Sequence, residues 1–206
     1  MEPLERARRL RVEADVVLRE AGVLEALQPH GPVVPTGSYF LDVMAFPDID
    51  LYIPAVSVEQ LFSIGGQIAR SPLVFQVVIE KDIDQTMAGG LYLKPRVRHG
   101  DWGRPWKVDI WSMEEAAIDE KMAPMYRFRD KMTPALREAI IRCKVSLLTS
   151  ELRTPTYSGY WIYRAFLDEG LSDPADVTQY LVKHGIKVQA SPSPPCGREG
   201  SAGDLP

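Results

Sequence analysis

Three patterns predict an α/β (α+β) chain: helical periodicity over the first 28 residues, short strand-like segments as far as residue 112, and helical periodicity again beyond it. Leu4, Ala7, Leu10, Ala14, Val17 and Leu18 recur at intervals of three and four, leaving Arg8, Arg11 and Glu20 mostly outward. This is one helix, broken near Gly22. Residues His30–Tyr39 (HGPVVPTGSY) switch to a short β-type run closed by Gly37, and one or two helical turns follow over Tyr39–Phe46 (YFLDVMAF). Asp48–Ile53 alternates as a strand and ends at Pro54. Ser57 is placed to cap a helix running to Arg70, and Glu59 in its first turn suits the positive helix end. Leu73–Glu80 and Leu91–Arg98 read as strands around a turn-rich Asp82–Gly90 stretch, and Trp106–Trp111 as a further short strand. After Ser112 the pattern is helical. Thr133-Pro134 is a cap followed by a first-turn proline, and Leu136, Ile140, Cys143, Leu147 and Leu148 form one apolar stripe. Tyr157–Glu169 and Pro174–His184 are two further helices, with Gly170 and Gly185 as stops. The expected organisation is therefore an N-terminal helical segment over 1–29, a core over 30–112, a helical region over 113–189 and a tail over 190–206. That tail holds four Pro, three Gly and three Ser, too little apolar surface to offset ordering, so it is expected to be disordered.

Composition narrows the classes of function. The 206 residues carry 24 Lys plus Arg against 28 Asp plus Glu, a formal charge of -4, which argues against a surface wholly given to nucleic acid or anionic membrane. Only Cys143 and Cys196 are present, so neither a disulfide framework nor a multi-cysteine zinc site is available. No run approaches a membrane span, and the first residues (MEPLERARRLR) are charged, which predicts a cytoplasmic protein without membrane partners.

The informative stretch runs from Pro35 to Tyr52. Asp48 and Asp50 are two apart on a strand, so their side chains leave one face, while Ile49, Leu51 and Ile53 point to the core on the other. Two carboxylates held that close repel unless a cation lies between them, and hard oxygen ligands select Mg²⁺ or Mn²⁺. Gly37-Ser38 lies upstream at a strand-to-helix junction, where backbone N–H groups, a hydroxyl and a helix dipole suit a phosphate. Glycine there lets the backbone approach the ligand without a Cβ in the way. A third acid, Asp109, sits between Val108 and Ile110 on another strand, a place for a carboxylate that faces a cleft or a metal. Lys107 and Trp111 share its face. Three acids with a phosphate cradle are what two-metal nucleotidyl transfer needs.

Gly37-Ser38, nine intervening residues, Asp48-Ile49-Asp50-Leu51 and then Val108-Asp109-Ile110 resemble the signature of the polymerase-β-type nucleotidyltransferase superfamily. The resemblance covers about residues 30–112 and implies a nucleotidyltransferase-type mixed sheet with flanking helices, followed by a C-terminal helical region. It implies that Asp48, Asp50 and Asp109 are both catalytic and metal ligands, with Asp109 helping to deprotonate the acceptor hydroxyl. Gly37 and Ser38 would hold the nucleotide phosphates. The implied activity is Mg²⁺-dependent transfer of a nucleoside monophosphate, AMP from ATP, to a hydroxyl of a small molecule, a nucleic-acid end or a protein. Tyr39-Phe40-Leu41 departs from the small-residue and arginine pattern that follows Gly-Ser in the minimal antitoxin-type members, and no accessory nucleic-acid-binding domain is evident. Extended nucleic-acid binding is therefore not expected, and the acceptor stays open.

Other signals point less sharply. Asp82-Ile83-Asp84 repeats the Asp-X-Asp pattern without a Gly-Ser turn at the right spacing and reads as turn acids. Lys94, Arg96 and Arg98 alternate along one strand face, and residues 94–107 carry five positive charges against Asp101. They suit either a triphosphate or an anionic acceptor, or a solvated sheet edge. Lys107, sharing a face with Asp109, is the basic residue best placed to meet the nucleotide. In some members of that superfamily a basic residue from the helical half reaches the triphosphate, a role open to Arg137 or Lys144, but a solvated helix face is the simpler reading. Tyr157, Tyr160, Trp161 and Tyr163 offer a candidate base-stacking aromatic, but their helical spacing reads more simply as core. His184 reads as a helix-end residue and Asp42 as a surface acid. Two alternatives stand beside the enzyme: a catalytically silent protein of the same fold that binds nucleotide or a partner, and a metal-dependent glycosyltransferase using Asp48 and Asp50 on a nucleotide sugar.

Overall fold

The computed structural model describes residues 1–81 and 90–188. Asp82–Asp84 and the 190–206 tail with Cys196 lie outside the described residues. The architecture is mixed α+β: a five-stranded mixed sheet with helices on both faces. The strands are β1 (Val34–Thr36), β2 (Asp48–Pro54), β3 (Val74–Lys81), β4 (Leu91–Val97) and β5 (Trp106–Met113), in spatial order β1-β2-β5-β4-β3. β2 and β5 are parallel and every other pairing is antiparallel. The helices are α1 (Pro3–Glu20), α2 (Val23–Leu27), α3 (Gly37–Phe40), α4 (Val58–Ile68), α5 (Glu115–Lys131), α6 (Pro134–Ser146), α7 (Ser158–Leu167) and α8 (Pro174–Lys183).

Local chemistry sets the boundaries. α1 begins at the Glu2 carboxylate, which accepts from the N–H groups of Leu4 and Glu5, and ends before Gly22, whose φ of 68° starts a new direction. Ser57 and Gln60 cap α4 reciprocally, a capping box that holds its first turn. Thr133 caps α6 and Asp173 caps α8, each with a proline next inside. Gly37 ends β1 and opens α3 at the expected strand-to-helix junction, its carbonyl accepting from Leu41 N. One boundary differs from expectation: the helical turn stops at Phe40, Asp42 takes a φ of 56°, and residues 41–47 cross to β2 without further helix.

The period of two along the strands divides the sheet. Ile49, Leu51, Ile53, Leu93, Val97, Val108 and Ile110 are buried and pack with Leu10, Val17, Leu61 and Ile64 from α1 and α4. A second cluster joins Met122, Phe128, Ile140, Ile141, Ile162, Phe166, Val177 and Leu181 of α5 to α8. Ala7, Leu41 and Val43 from the N-terminal part belong to this second cluster, so the helical region is seated on the core rather than tethered to it. The remaining sheet face is left between the two clusters.

Candidate active site

That face forms a grid. The parallel register sets Asp50 beside Asp109, Asp48 beside Lys107 and Tyr52 beside Trp111, while β1 brings Thr36 beside Asp50. On the other side of β5, Arg96 pairs with Lys107 and Tyr92 with Trp111, which leaves Lys94 next to Asp109. A cavity of about 670 Å³ lies over this grid, lined by the side chains of β2, β4 and β5, by Gly37 and Ser38, and by Lys144 and residues 151 and 153–159 of the helical region. Gly37, Ser38, Asp48, Asp50, Lys107 and Asp109 all border it.

The Gly37 turn and the acids are fitted to one another. Gly37 has a φ of 59°, and a Cβ there would lie 2.6 Å from Asp50 Oδ2. Only glycine allows that turn and that carboxylate together. α1 braces the turn from behind: Arg11 donates to the Tyr39 carbonyl at 2.6 Å, and the Tyr39 hydroxyl donates to Asp15 at 2.6 Å. Arg6 donates to the Ala45 carbonyl at 2.6 Å and pins the segment leading into β2.

Between the carboxylates stands an ammonium. Lys107 Nζ lies 3.0 Å from Asp48 Oδ1 and 2.7 Å from Asp109 Oδ2, with the two acid side chains only 14% and 9% exposed. Burial acts to lower the Lys107 pKa, but Asp48, Asp109 and Asp50 outweigh it and hold the lysine charged. Asp50 is pushed well above the ordinary carboxylate value, first by burial and then by the charges of Asp48 and Asp109. Asp48 is raised by burial and by Asp109, against the pull of Lys107. Tyr92 is also raised, by burial and by the Asp109 charge.

Lys144 is the main correction to the sequence reading. It is 2% exposed rather than solvated, borders the cavity and donates to the Tyr163 hydroxyl at 3.2 Å. Burial pulls its pKa down to about 8, opposed by Asp48 and Asp50. Its helical companion Arg137 pairs instead with Asp42 at 2.7 Å, which ties α6 to the turn after α3 and gives Asp42 a structural partner. The α7 aromatics also divide. Tyr163 is core, as expected, but Tyr157 is 79% exposed with a φ of 61° and borders the cavity. Ser158, the first residue of α7, is fully buried at the cavity edge, and its Oγ has no hydrogen-bond partner. A second, aromatic cavity of about 420 Å³ opens beside Asp50, lined by Tyr52, Trp111, Met125, Tyr157, Tyr160 and Tyr163 among others. His184 stacks on Trp161 at 3.8 Å, away from the acids.

Among the described residues, no group of three or more His, Cys, Asp or Glu side chains is closed up as a ready metal-ligand set. The chemistry of the donors nonetheless fits a hard divalent cation. Buried Asp109 Oδ1 has no hydrogen-bond partner, Asp48 Oδ1 meets only the Lys107 ammonium, Asp50 carries a like-charge burden that Lys107 and Lys144 offset only in part, and the three carboxylates lie side by side on β2 and β5.

No family model and no curated protein matches the chain. Among solved structures it is similar to a chain in the GLD-2/RNP-8 complex, at 15% identity and a TM-score of 0.47, over 83% of this chain and 57% of that one. It is also similar to the Cid1 poly(U) polymerase solved with MgGTP bound, at 15% identity and a TM-score of 0.43, over 69% of this chain and 43% of that one. JHP933 from Helicobacter pylori is a third, at 13% identity and a TM-score of 0.35, over 84% and 73%. The chain thus spans little more than half of the first and less than half of the second. At such scores the likenesses carry no functional weight. The side chains around the cavity carry it.

Proposed function

We propose that this cavity is the active site of a metal-dependent nucleotidyltransferase that transfers a nucleoside monophosphate, AMP from ATP, to a hydroxyl. The observation that carries the reading is the register of Asp48, Asp50 and Asp109 on two adjacent parallel strands, with the Gly37 turn in contact distance of Asp50. Mg²⁺ or Mn²⁺, held by these three acids, would supply the electrophilic activation of the α-phosphate and the acidity of the attacking hydroxyl. The chain's own residues do the rest. The N–H groups and hydroxyl of the Gly37-Ser38 turn, facing Ser158 at the start of α7, bind the phosphates on the helical side of the acids. Lys107 and Lys144 offset the phosphate charge. Asp109 takes the acceptor proton as the acceptor oxygen bonds to the α-phosphorus and the bond to the pyrophosphate oxygen breaks. Tyr157, exposed beside both cavities, offers a ring for the base.

The test is pyrophosphate release with ATP and Mg²⁺ across an acceptor panel, in the wild type and in Asp48→Asn and Asp50→Asn. Both variants should fold and lose turnover; turnover retained in either sinks the assignment. The Lys107 ammonium between Asp48 and Asp109 favours one second reading, a catalytically silent protein that binds nucleotide. ATP binding by calorimetry without pyrophosphate release on any acceptor would select it.

A further inference from the structure

We infer that the acceptor is an anion whose reacting hydroxyl is borne on a phosphate-containing molecule, and that it enters over β4. This rests on the reading above, with nucleotide phosphates at the Gly37-Ser38 turn. The turn follows β1, and β1 and β4 are separated by three strand spacings, about 14 Å at the usual distance between strands. Asp48, Asp50 and Asp109 stand on the two strands between. The nucleotide phosphates therefore occupy one flank of the acids and the acceptor hydroxyl must come from the other.

That other flank is basic. Lys94 and Arg96 of β4 face the cavity, and Arg104 and Arg153 border it from two loops. The Glu151 carbonyl accepts from Arg104 at 3.1 Å, which fixes the guanidinium at the rim, while the buried Arg104 Nε has no partner. Glu80 lies 3.6 Å from Lys94 and Glu151 pairs with Arg153 at 2.7 Å, so two of the four cations are only partly offset. A cationic acceptor would be repelled by this wall and a neutral one would leave it unpaired. Phosphate oxygens match it, since guanidinium groups bind them in a planar fork. Beside the wall, Trp111 stacks on Tyr92 at 4.1 Å, and a half-buried edge of indole is offered to the cavity. Cations flanked by an aromatic surface are the combination that binds nucleotides and strand ends.

The source of the phosphate, a strand end or a free nucleotide, is separated by two arms. A fluorescent single-stranded oligonucleotide and a mononucleotide are each titrated into the full chain, in the wild type and in a Lys94→Ala/Arg96→Ala double variant. ATP with Mg²⁺ is titrated into both proteins by calorimetry. The double variant should bind the phosphate-bearing acceptor at least tenfold more weakly while its ATP affinity changes less than twofold. For an oligonucleotide, loss of two charges should reduce the salt slope of log K by about 1.4. Weakening of the oligonucleotide alone assigns a strand end, and equal weakening of both assigns the nucleotide unit. Parallel loss of ATP affinity overturns the inference by giving the wall to the triphosphate. Transfer from ATP to neutral or cationic acceptors but not to phosphate-bearing ones overturns it while leaving the nucleotidyltransferase reading in place. Absence of ATP binding in the wild type overturns both.

Discussion

Replacing Lys107 by Met tests whether the acid cluster is held together by an internal cation. The substitution keeps most of the side-chain volume and removes the ammonium that lies 3.0 Å from Asp48 and 2.7 Å from Asp109. Breaking a buried pair by deleting one partner costs on the order of 3–5 kcal/mol, because the remaining charge is left without compensation. The lower end applies here, since Lys107 keeps some solvent access and the acids can shed charge by taking up a proton. Asp48 is already raised by burial and by Asp109, and Lys107 is the main group holding it down. Without Lys107 its native pKa climbs further above the unfolded value. Between those two values the native state binds more protons than the unfolded state, so stability falls as pH rises. The expected result is a loss of about 3 kcal/mol at pH 7.5, measured by urea unfolding without divalent cations, and a smaller loss at pH 5. Manganese should restore the variant more than it stabilises the wild type, because no ammonium competes for the carboxylates; calorimetric Mn²⁺ titration reads this directly. A loss below about 1 kcal/mol that is the same at both pH values would refute the reasoning.

Four further outcomes are expected. Gly37→Ala places a methyl 2.6 Å from Asp50 Oδ2 at a φ of 59°, and should lower stability by about 2 kcal/mol in chemical denaturation while weakening Mn²⁺ binding. Asp50→Asn removes the carboxylate most burdened by burial and like charge, so its melting temperature at pH 7.5 should rise even as transfer disappears; a drop would contradict the burden assigned to it. For Lys144, with a native pKa of about 8 against the ordinary lysine value of 10.5, the unfolded state holds more protons between those values. Wild-type stability should therefore gain up to about 3 kcal/mol from this group as pH rises from 8 to 10.5, and Lys144→Met should abolish that slope in urea melts at pH 7.5 and 9.5. Thr133→Ala removes the side-chain acceptor for Leu136 N at the start of α6 and should cost about 1 kcal/mol, by thermal unfolding.

Residues whose position depends on local periodicity were legible in the sequence. Asp48, Asp50, Lys107 and Asp109 lie on strands, where a period of two sends them to one face once their apolar neighbours Ile49, Leu51, Val108 and Ile110 are committed to the core. The Gly37 turn was legible for the same reason, as a glycine where a strand gives way to a helix. Lys144 was not. Its place in the sequence matches a solvated position on α6, and only the docking of α6 and α7 against the sheet encloses it with Asp48, Asp50 and Tyr163. Ser158 was not legible, and Tyr157 reads in the sequence first as core and only second as a ring for a base, because α7 starts at the cavity, a matter of helix placement that carries no local signature. A buried polar start to a helix whose neighbours are aromatic is the one hint the sequence offered. The pairing of Arg137 with Asp42 joins residues ninety-five apart and had no local signal at all.

The charge of the chain takes a different meaning at the cavity. Overall it is -4, yet Lys94, Arg96, Arg104, Lys107, Lys144 and Arg153 border the cavity against Asp48, Asp50, Asp109 and Glu151, six basic groups to four acidic ones. The sign is inverted locally, and low-dielectric walls focus that field on the opening. The acids and bases are also sorted. The three aspartates are central, Lys107 stands among them, Lys144 approaches from the helical region, and the arginines stand at the rim. Such an order has a consequence for binding. Any cation that settles on the aspartates relieves Lys107 of its partners and leaves the surrounding positive charge unmatched. Occupancy of the centre by a cation and of the surroundings by phosphates should therefore be cooperative, each lowering the electrostatic cost of the other.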